Sequence, residues 1–339
     1  MREPVASYTG AVSGRGLLPG AAWLRAAPRL TWRRAILLVI AFLTVWLALQ
    51  LVIGLPLLVL ASALAGATLL PLSADASQLT SVTHPLGSGL ALGVALGALA
   101  AVGVLHRWGG PSLAAIGLRR EDVWARELVL GAVLGPIAFA LVLALEVALG
   151  WATVAPGSLG LGGLLLGALG FGAVAVNEEV ATRGFLLQVL GRAWNPPGAL
   201  VASSVVFATL HSFNPNATPV AISFLVVAGL VLALGYFVTG RLWLPIAFHW
   251  SWNFAQGPLF GFPVSGLPGD SLLAVTPVGP AWATGGAFGP EAGCVGLGAE
   301  LVVAAIILGW WRARGSAAAT AVIAAAGLAG LAAVALVPR

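Results

Sequence analysis

Apolar runs close to bilayer thickness follow one another from residue 36 almost to the end of this chain, and they restrict its fold more than any other feature. In lipid, every backbone amide must find its partner inside the protein, which leaves helices and closed barrels. A helical span takes about 20 apolar residues, and several runs reach or approach that length. The short alternating segments of a barrel are absent. The expected fold class is all-α, a polytopic transmembrane helical bundle with eight or nine spans. At 60% hydrophobic and 8% charged residues over 339 positions, the chain is more apolar than a soluble core of that size requires.

Residues 1–34 are rich in Gly, Pro and Arg and read as a cytoplasmic disordered tail. Residues 35–127 hold the first spans and an interfacial loop. Within them lie a long run over 36–70 that Pro56 should kink or break, a polar loop over 71–86, a span over 87–105, and a charged loop with a short helix over 106–127. Residues 128–260 carry a span over 128–150, a long helix over 159–190 and a break at Pro196-Pro197. Helices follow over 198–212, 218–239 and 243–256. Residues 261–339 hold most of the Gly/Pro-rich loop that starts at 257 and two last runs, 296–311 and 317–337. The glycines between Gly160 and Gly172 are spaced for close helix packing.

All sixteen basic residues are Arg, a bias that points to a GC-rich bacterial genome and carries no functional weight. If every run crosses once, the arginines of the tail, of the 106–127 loop, Arg192, Arg241 and the Arg312/Arg314 pair fall on one side. The loops 71–86, 151–158, 212–217 and 257–294 have none. By the positive-inside rule this is a multi-pass protein of the cell membrane with a cytoplasmic N-terminus. The net charge of +5 therefore belongs to membrane orientation, and no nucleic-acid partner is expected. A single cysteine, Cys294, excludes an intramolecular disulfide and a multi-cysteine metal site.

Charges at membrane depth cost roughly 2.5–3.5 kcal/mol each on insertion scales and so tend to mark function. Asn177-Glu178-Glu179-Val180-Ala181-Thr182-Arg183 puts three of them into one apolar helix. Glu179 and Arg183, four apart, share a face in the favourable order. Glu178 is rotated about 100° away and is free for another task, such as general base. His211 ends Phe207-Ala208-Thr209-Leu210-His211, and His249 and Asn253 share a face of the next polar helix. Glu178 and His211 could activate a water, while His249 and Asn253 could donate to an oxyanion. Taken singly, each group has a plainer reading: an ion-pair network for the acids and Arg183, a helix–helix hydrogen bond for His211, and interfacial anchoring for His249/Asn253 beside Trp243, Trp250 and Trp252. Glu146 either lines a cavity, pairs with an arginine or lies near the surface. Glu300 should face the interface, and His84 and His106 should be solvated.

Glu178-Glu179-x-x-x-Arg183, Phe207-x-x-x-His211 and His249-x-x-x-Asn253, in that order and in successive helices, resemble the CPBP family of intramembrane proteases. That family includes the CAAX prenyl protease 2, Abi and lysostaphin-resistance-protein-A-like proteins. The likeness covers about residues 125–260. It implies a glutamate-dependent endopeptidase with Glu178 and His211 as base, His249 and Asn253 as oxyanion site, and Glu179, Arg183 and Phe207 in support. Its substrate would be a membrane-associated peptide or protein, with the lipid bilayer as its surroundings and no cofactor. A Glu178/His211/His249 zinc site is chemically conceivable, but the chain has no H-E-x-x-H. The expected cavity opens among the helix ends that carry Arg192 and Arg241. The alternative is a non-catalytic membrane scaffold or bacteriocin-immunity protein on the same fold. A transporter would show internal repeats, and none is evident.

Overall fold

The computed structural model describes residues 27–64, 83–121 and 123–313, with single positions near either end (18, 20, 22, 24, 318, 320, 321 and 323–325). The tail before residue 18, the loop over 71–82 and most of the final run 317–337 lie outside the described residues.

Helix α1 (Trp32–Leu49) starts at Thr31, whose hydroxyl accepts the Arg34 N–H at 3.3 Å. A π-helical turn, Gln50–Gly54, separates it from α2 (Leu55–Leu64). Pro56 has no N–H to give that ladder, and the irregular turn before it is the break expected there. Ile36, Leu37, Ile40, Leu43, Leu47 and Leu51 stand exposed along this helix, an outward apolar face that suits lipid contact. Helix α3 (Pro85–His106) and α4 (Trp124–Ala148) come next. His84 caps α3 by accepting the Leu86 N–H, and His106 meets the Gly110 carbonyl, so neither ring is merely solvated.

Helix α5 (Leu161–Glu179) passes through a π-helical segment, Val180–Leu186, into α6 (Leu187–Ala193). Helix α7 (Pro196–Leu210) begins two residues earlier than the sequence suggests. Pro196 occupies its first turn, where the missing N–H is harmless, and the Asn195 side chain accepts the Gly198 N–H at 2.8 Å. Helix α8 (Pro219–Thr239) repeats the device with Thr218 and ends on Gly240, whose positive φ closes the helix. Helix α9 (Trp243–Phe254) and α10 (Cys294–Arg312) complete the bundle. Among the described residues, six helices are long and apolar enough to cross a membrane.

The Gly/Pro-rich segment after α9 is no featureless loop, and the fold is not purely helical. Strand β2 (Leu273–Pro277) pairs antiparallel with β1 (Ala152–Pro156), Val275 opposite Val154. Phe260 and Phe262 anchor the segment, both almost fully buried, Phe262 lying 5.9 Å from Phe139.

The arginine-bearing segments meet at one end of the bundle. Arg29 donates to the Trp194 carbonyl, Arg192 to Pro28 and Arg34 to Trp108. Arg241 binds Glu127 through Nε and Nη2 and reaches Glu121 at 2.5 Å, while Arg119 holds the other oxygen of Glu121 at 2.7 Å. Burial makes such pairs expensive to break, and this one ties the 106–127 segment to the base of α9. The Leu242 N–H to Gly117 carbonyl bond adds to it.

Helices α4 and α9 approach most intimately. A Cβ on Gly135 would sit 2.2 Å from the Ser251 backbone, and one on Gly131 2.6 Å from Ala247 Cβ. The Ser251 hydroxyl enters the α4 ladder there, accepting from the Gly135 N–H at 3.1 Å and donating to the Gly131 carbonyl at 2.7 Å. The glycines singled out in the sequence divide: a Cβ on Gly160 or Gly162 would meet nothing within 4 Å, while one on Gly167 would stand 2.9 Å from the Pro258 ring. Two of the expected interfacial tryptophans are packing residues. Trp252 is buried against Phe139 at 4.7 Å, and Trp250 donates to the Ala168 carbonyl at 2.9 Å. Gly135→Ala should therefore destabilise the protein by about 1–3 kcal/mol, the range for overpacking, while Gly162→Ala should cost nothing. Thermal unfolding of the two variants in detergent checks this contrast.

Candidate active site

The middle of the bundle is organised around Glu179, which has no exposed surface. Its Oε1 accepts from Arg183 Nη1 at 2.8 Å and from His249 Nδ1 at 2.9 Å. Arg183, also fully buried, donates through Nη2 to the Gly229 carbonyl of α8 at 2.8 Å and lies over the Phe207 ring at 4.5 Å. One carboxylate oxygen and one guanidinium thus join α5, α7, α8 and α9. Gly229 is required here, because a Cβ would stand 2.9 Å from Ser204 Cβ and push α8 from α7.

The π-helical segment shapes this arrangement. The Thr182 hydroxyl donates to the Glu178 carbonyl at 2.5 Å, a side-chain bond that competes with the regular ladder. Such segments recur at functional sites because they re-aim side chains within a helix.

Glu178 projects differently from its neighbour, into a cavity of about 460 Å³. Its Oε2 lies 3.8 Å from His249 Nε2 and 4.0 Å from His211 Nε2, and has no hydrogen-bond partner among the described residues. These separations are too long for direct hydrogen bonds and suit one intervening water oxygen. His211 Nδ1 faces the Phe207 carbonyl at 2.9 Å and so carries a proton, which leaves the lone pair of the neutral ring on Nε2, toward Glu178. His249 Nδ1 gives its proton to Glu179. The structure thus brings together Glu178, His211 and His249, with Phe207 beneath both rings at 4.8 and 5.9 Å. Asn253, 8% exposed, lines the same cavity, and its side chain makes no hydrogen bond to another described residue. Glu179 and Arg183 do not line the cavity and act on it through His249 and Phe207. Among the described residues, no group of three or more His, Cys, Asp or Glu is arranged to hold a metal ion.

The cavity departs from the sequence reading in two respects. Its walls include Asn214, Ser265, Leu267, Pro268, Gly269 and Asp270, which lie at the helix ends remote from Arg192 and Arg241. The lining thus reaches the helix ends opposite those expected, and neither Arg192 nor Arg241 is part of it. Second, the sequence reading missed part of the wall. Glu300 is 2% exposed and lines the cavity instead of facing the interface, and Glu291, which accepts from Ser265 Oγ at 2.7 Å, lines it too. The available signal was Glu291 itself, alone among the 29 residues from 271 to 299 in bearing a charge. Glu146 is buried outside the cavity, and neither of its oxygens has a hydrogen-bond partner among the described residues.

Residues 160–255 match the family model of the Rce1-like proteins, described as type II CAAX prenyl endopeptidase Rce1-like. The match spans the acid pair, Phe207, both histidines and Asn253. No curated protein and no solved structure matches the chain. The apolar helices support a multi-pass membrane protein, and the family that this stretch resembles is one of CAAX prenyl endopeptidases.

Removing one partner of a buried pair strands the other charge. Arg183→Ala should cost about 3–5 kcal/mol, whereas Glu178→Gln, whose carboxylate faces the cavity, should cost far less. Unfolding midpoints of the purified variants measure the difference, and equal losses would contradict the division of labour between the two glutamates.

Proposed function

From the Rce1-like match over residues 160–255, we propose that this chain is a membrane-embedded, glutamate-dependent endopeptidase that hydrolyses peptide bonds of membrane-associated proteins or peptides. The observation that carries the reading is the convergence of His211 Nε2 and His249 Nε2 on Glu178 Oε2 in the cavity wall.

In this mechanism a water sits between Glu178 and His211. Glu178 takes its proton as the oxygen attacks the scissile carbonyl carbon, and the His211 lone pair orients the second hydrogen. His249 in its imidazolium form carries a proton on Nε2 as well as Nδ1. That Nε2–H and the Asn253 amide donate to the oxyanion. The C–N bond then breaks, and the proton held by Glu178 passes to the leaving amine. Glu179 and Arg183 fix the His249 ring, and Phe207 supports the Arg183 plane.

No metal is part of this mechanism. Tetrahedral zinc with bonds of about 2.0–2.2 Å needs ligand atoms roughly 3.3 Å apart, and the two imidazole nitrogens stand 3.8 and 4.0 Å from the glutamate oxygen. The membrane topology that accompanies the reading has eight crossings in the described residues, counting α7 and α9 as short spans, or nine if the run 317–337 also crosses. The protein resides in a bacterial cell membrane with the arginine-rich end cytoplasmic. The cavity mouth then faces away from the cytoplasm.

Membranes from the native host carrying wild type or Glu178→Gln should differ in their peptide termini. New termini are expected with wild type only, and their absence at equal protein levels favours the scaffold. In the purified protein, Glu178→Gln should lower turnover by about 10²–10⁴-fold and Asn253→Ala by about 10²–10³-fold. A strong chelator should leave the wild-type rate unchanged; a chelator-sensitive rate restored by zinc would replace the glutamate mechanism. With Cys294 changed to Ser, a Gly269→Cys variant should react with a membrane-impermeant thiol reagent added to intact cells, and protection would reverse the orientation.

A further inference from the structure

The cavity has a charge composition unlike that of the chain. Four of the eleven Asp and Glu residues line it, Glu178, Asp270, Glu291 and Glu300, and no Arg among the described residues does. Arg183, which lies close behind the wall, is fully buried and committed to Glu179, Thr182 and Gly229. The acids belong to different parts of the chain and different depths. Asp270 stands exposed at the mouth, Glu178 sits at the histidines, and Glu291 and Glu300 are buried in the wall built by the last loop and α10.

Two further observations point to a ligand at this wall. Glu300 Oε2 is buried and has no hydrogen-bond partner among the described residues, although the residue is only 2% exposed. The side chain of Asn253, a residue 8% exposed, also lines the cavity without a hydrogen-bond partner among them. Buried polar groups left unpaired are costly, and in a cavity they are satisfied by what enters it. Burial pushes the Glu291 carboxyl above the ordinary carboxylate range, against the pull of Ser265, His211, Gln256 and His249. A cation placed against it would reverse that penalty and release a proton.

We infer that the cavity binds a substrate segment carrying an organic cation, a Lys or Arg side chain or a free α-amine, with the positive group held by Glu291 and Glu300 beside the scissile bond and drawn in past Asp270. The inference rests on the endopeptidase reading and deepens it by naming a substrate class. It disfavours a free C-terminal carboxylate as the group recognised, since no Arg among the described residues lines the cavity and the imidazolium of His249 is engaged by Glu179 and the oxyanion.

The test uses the full-length protein in proteoliposomes and a set of apolar peptides identical except at one position, Lys, norleucine or Glu. Each is made with a free and with an acetylated N-terminus. Cleavage of any of them by wild type and not by Glu178→Gln tests the endopeptidase reading alone. Binding of the same peptides to the Glu178→Gln protein, which needs no turnover, tests the cation site alone. The Lys peptide, or the free-amine peptide if the α-amine is the recognised group, should bind about tenfold or more tightly than its uncharged twin. This preference should collapse toward one in Glu291→Gln and in Glu300→Gln. Asp270→Asn, a change at an exposed position, should slow association of the cationic peptide and keep the fold if the wall variants lose it. Equal binding of Lys and norleucine peptides with either terminus, or tighter binding of the Glu peptide, overturns the inference whether or not cleavage is seen.

Discussion

The structure turns on a single carboxylate oxygen. Glu179 Oε1 receives a guanidinium N–H and an imidazole N–H at once, inside a helical bundle where none of the three residues has more than marginal exposure. An isolated carboxylate there would be prohibitively expensive, as would an isolated Arg183. Together they are tolerable only at one relative placement of α5, α8 and α9. The pairing therefore acts as a registration device, a use for which buried ionic groups are known. That registration sets the position of His249, and with it the gap between the two imidazoles and Glu178.

Around this frame the protein separates two environments. The end bearing the arginines is closed by side-chain pairs reaching across segments distant in sequence, Arg241 with Glu121 and Glu127 above all. The other end is framed by backbone, through the β1–β2 ribbon and the aromatic anchors Phe260 and Phe262. A backbone frame leaves room. The Gly- and Pro-rich chain from 257 to 294 contributes Ser265, Asp270 and Glu291 to a cavity wall, while a side-chain cluster of the first kind fills the space it closes.

Much of this could be read in the sequence, for identifiable reasons. Charges are so costly in lipid that Glu178, Glu179 and Arg183 stood out at once, and periodicity placed Glu179 and Arg183 on one face. His211, His249 and Asn253 were legible because each is a rare polar residue in an apolar helix. The Glu179–His249 bond was not, since it joins residues 70 apart on two different helices, a contact that no local pattern encodes. The same holds for the Gly/Pro-rich segment, whose composition suggests a loop while its aromatics and the pairing with β1 make it an ordered wall. The glycines from Gly160 to Gly172 were legible only in part, because small-residue spacing says that close packing is possible, and the neighbouring segments decide that it happens at Gly167 and not at Gly160 or Gly162. Glu300 misled, since position near the start of an apolar run does not reveal which side of the helix faces inward.

Ser251 has a consequence for how the chain divides into parts. Its hydroxyl completes the backbone ladder of α4 at Gly131 and Gly135, so a helix outside the stretch that the family model matches is finished by a residue within it. Glu291 and Glu300 make the converse connection from the far side. The recognisable stretch is thus not a module that could be excised, transplanted or fused without its neighbours. A chain begun at residue 160 would lack the seat on which the helix bearing His249 and Asn253 rests, and one ended at residue 255 would leave the chamber without its acidic wall.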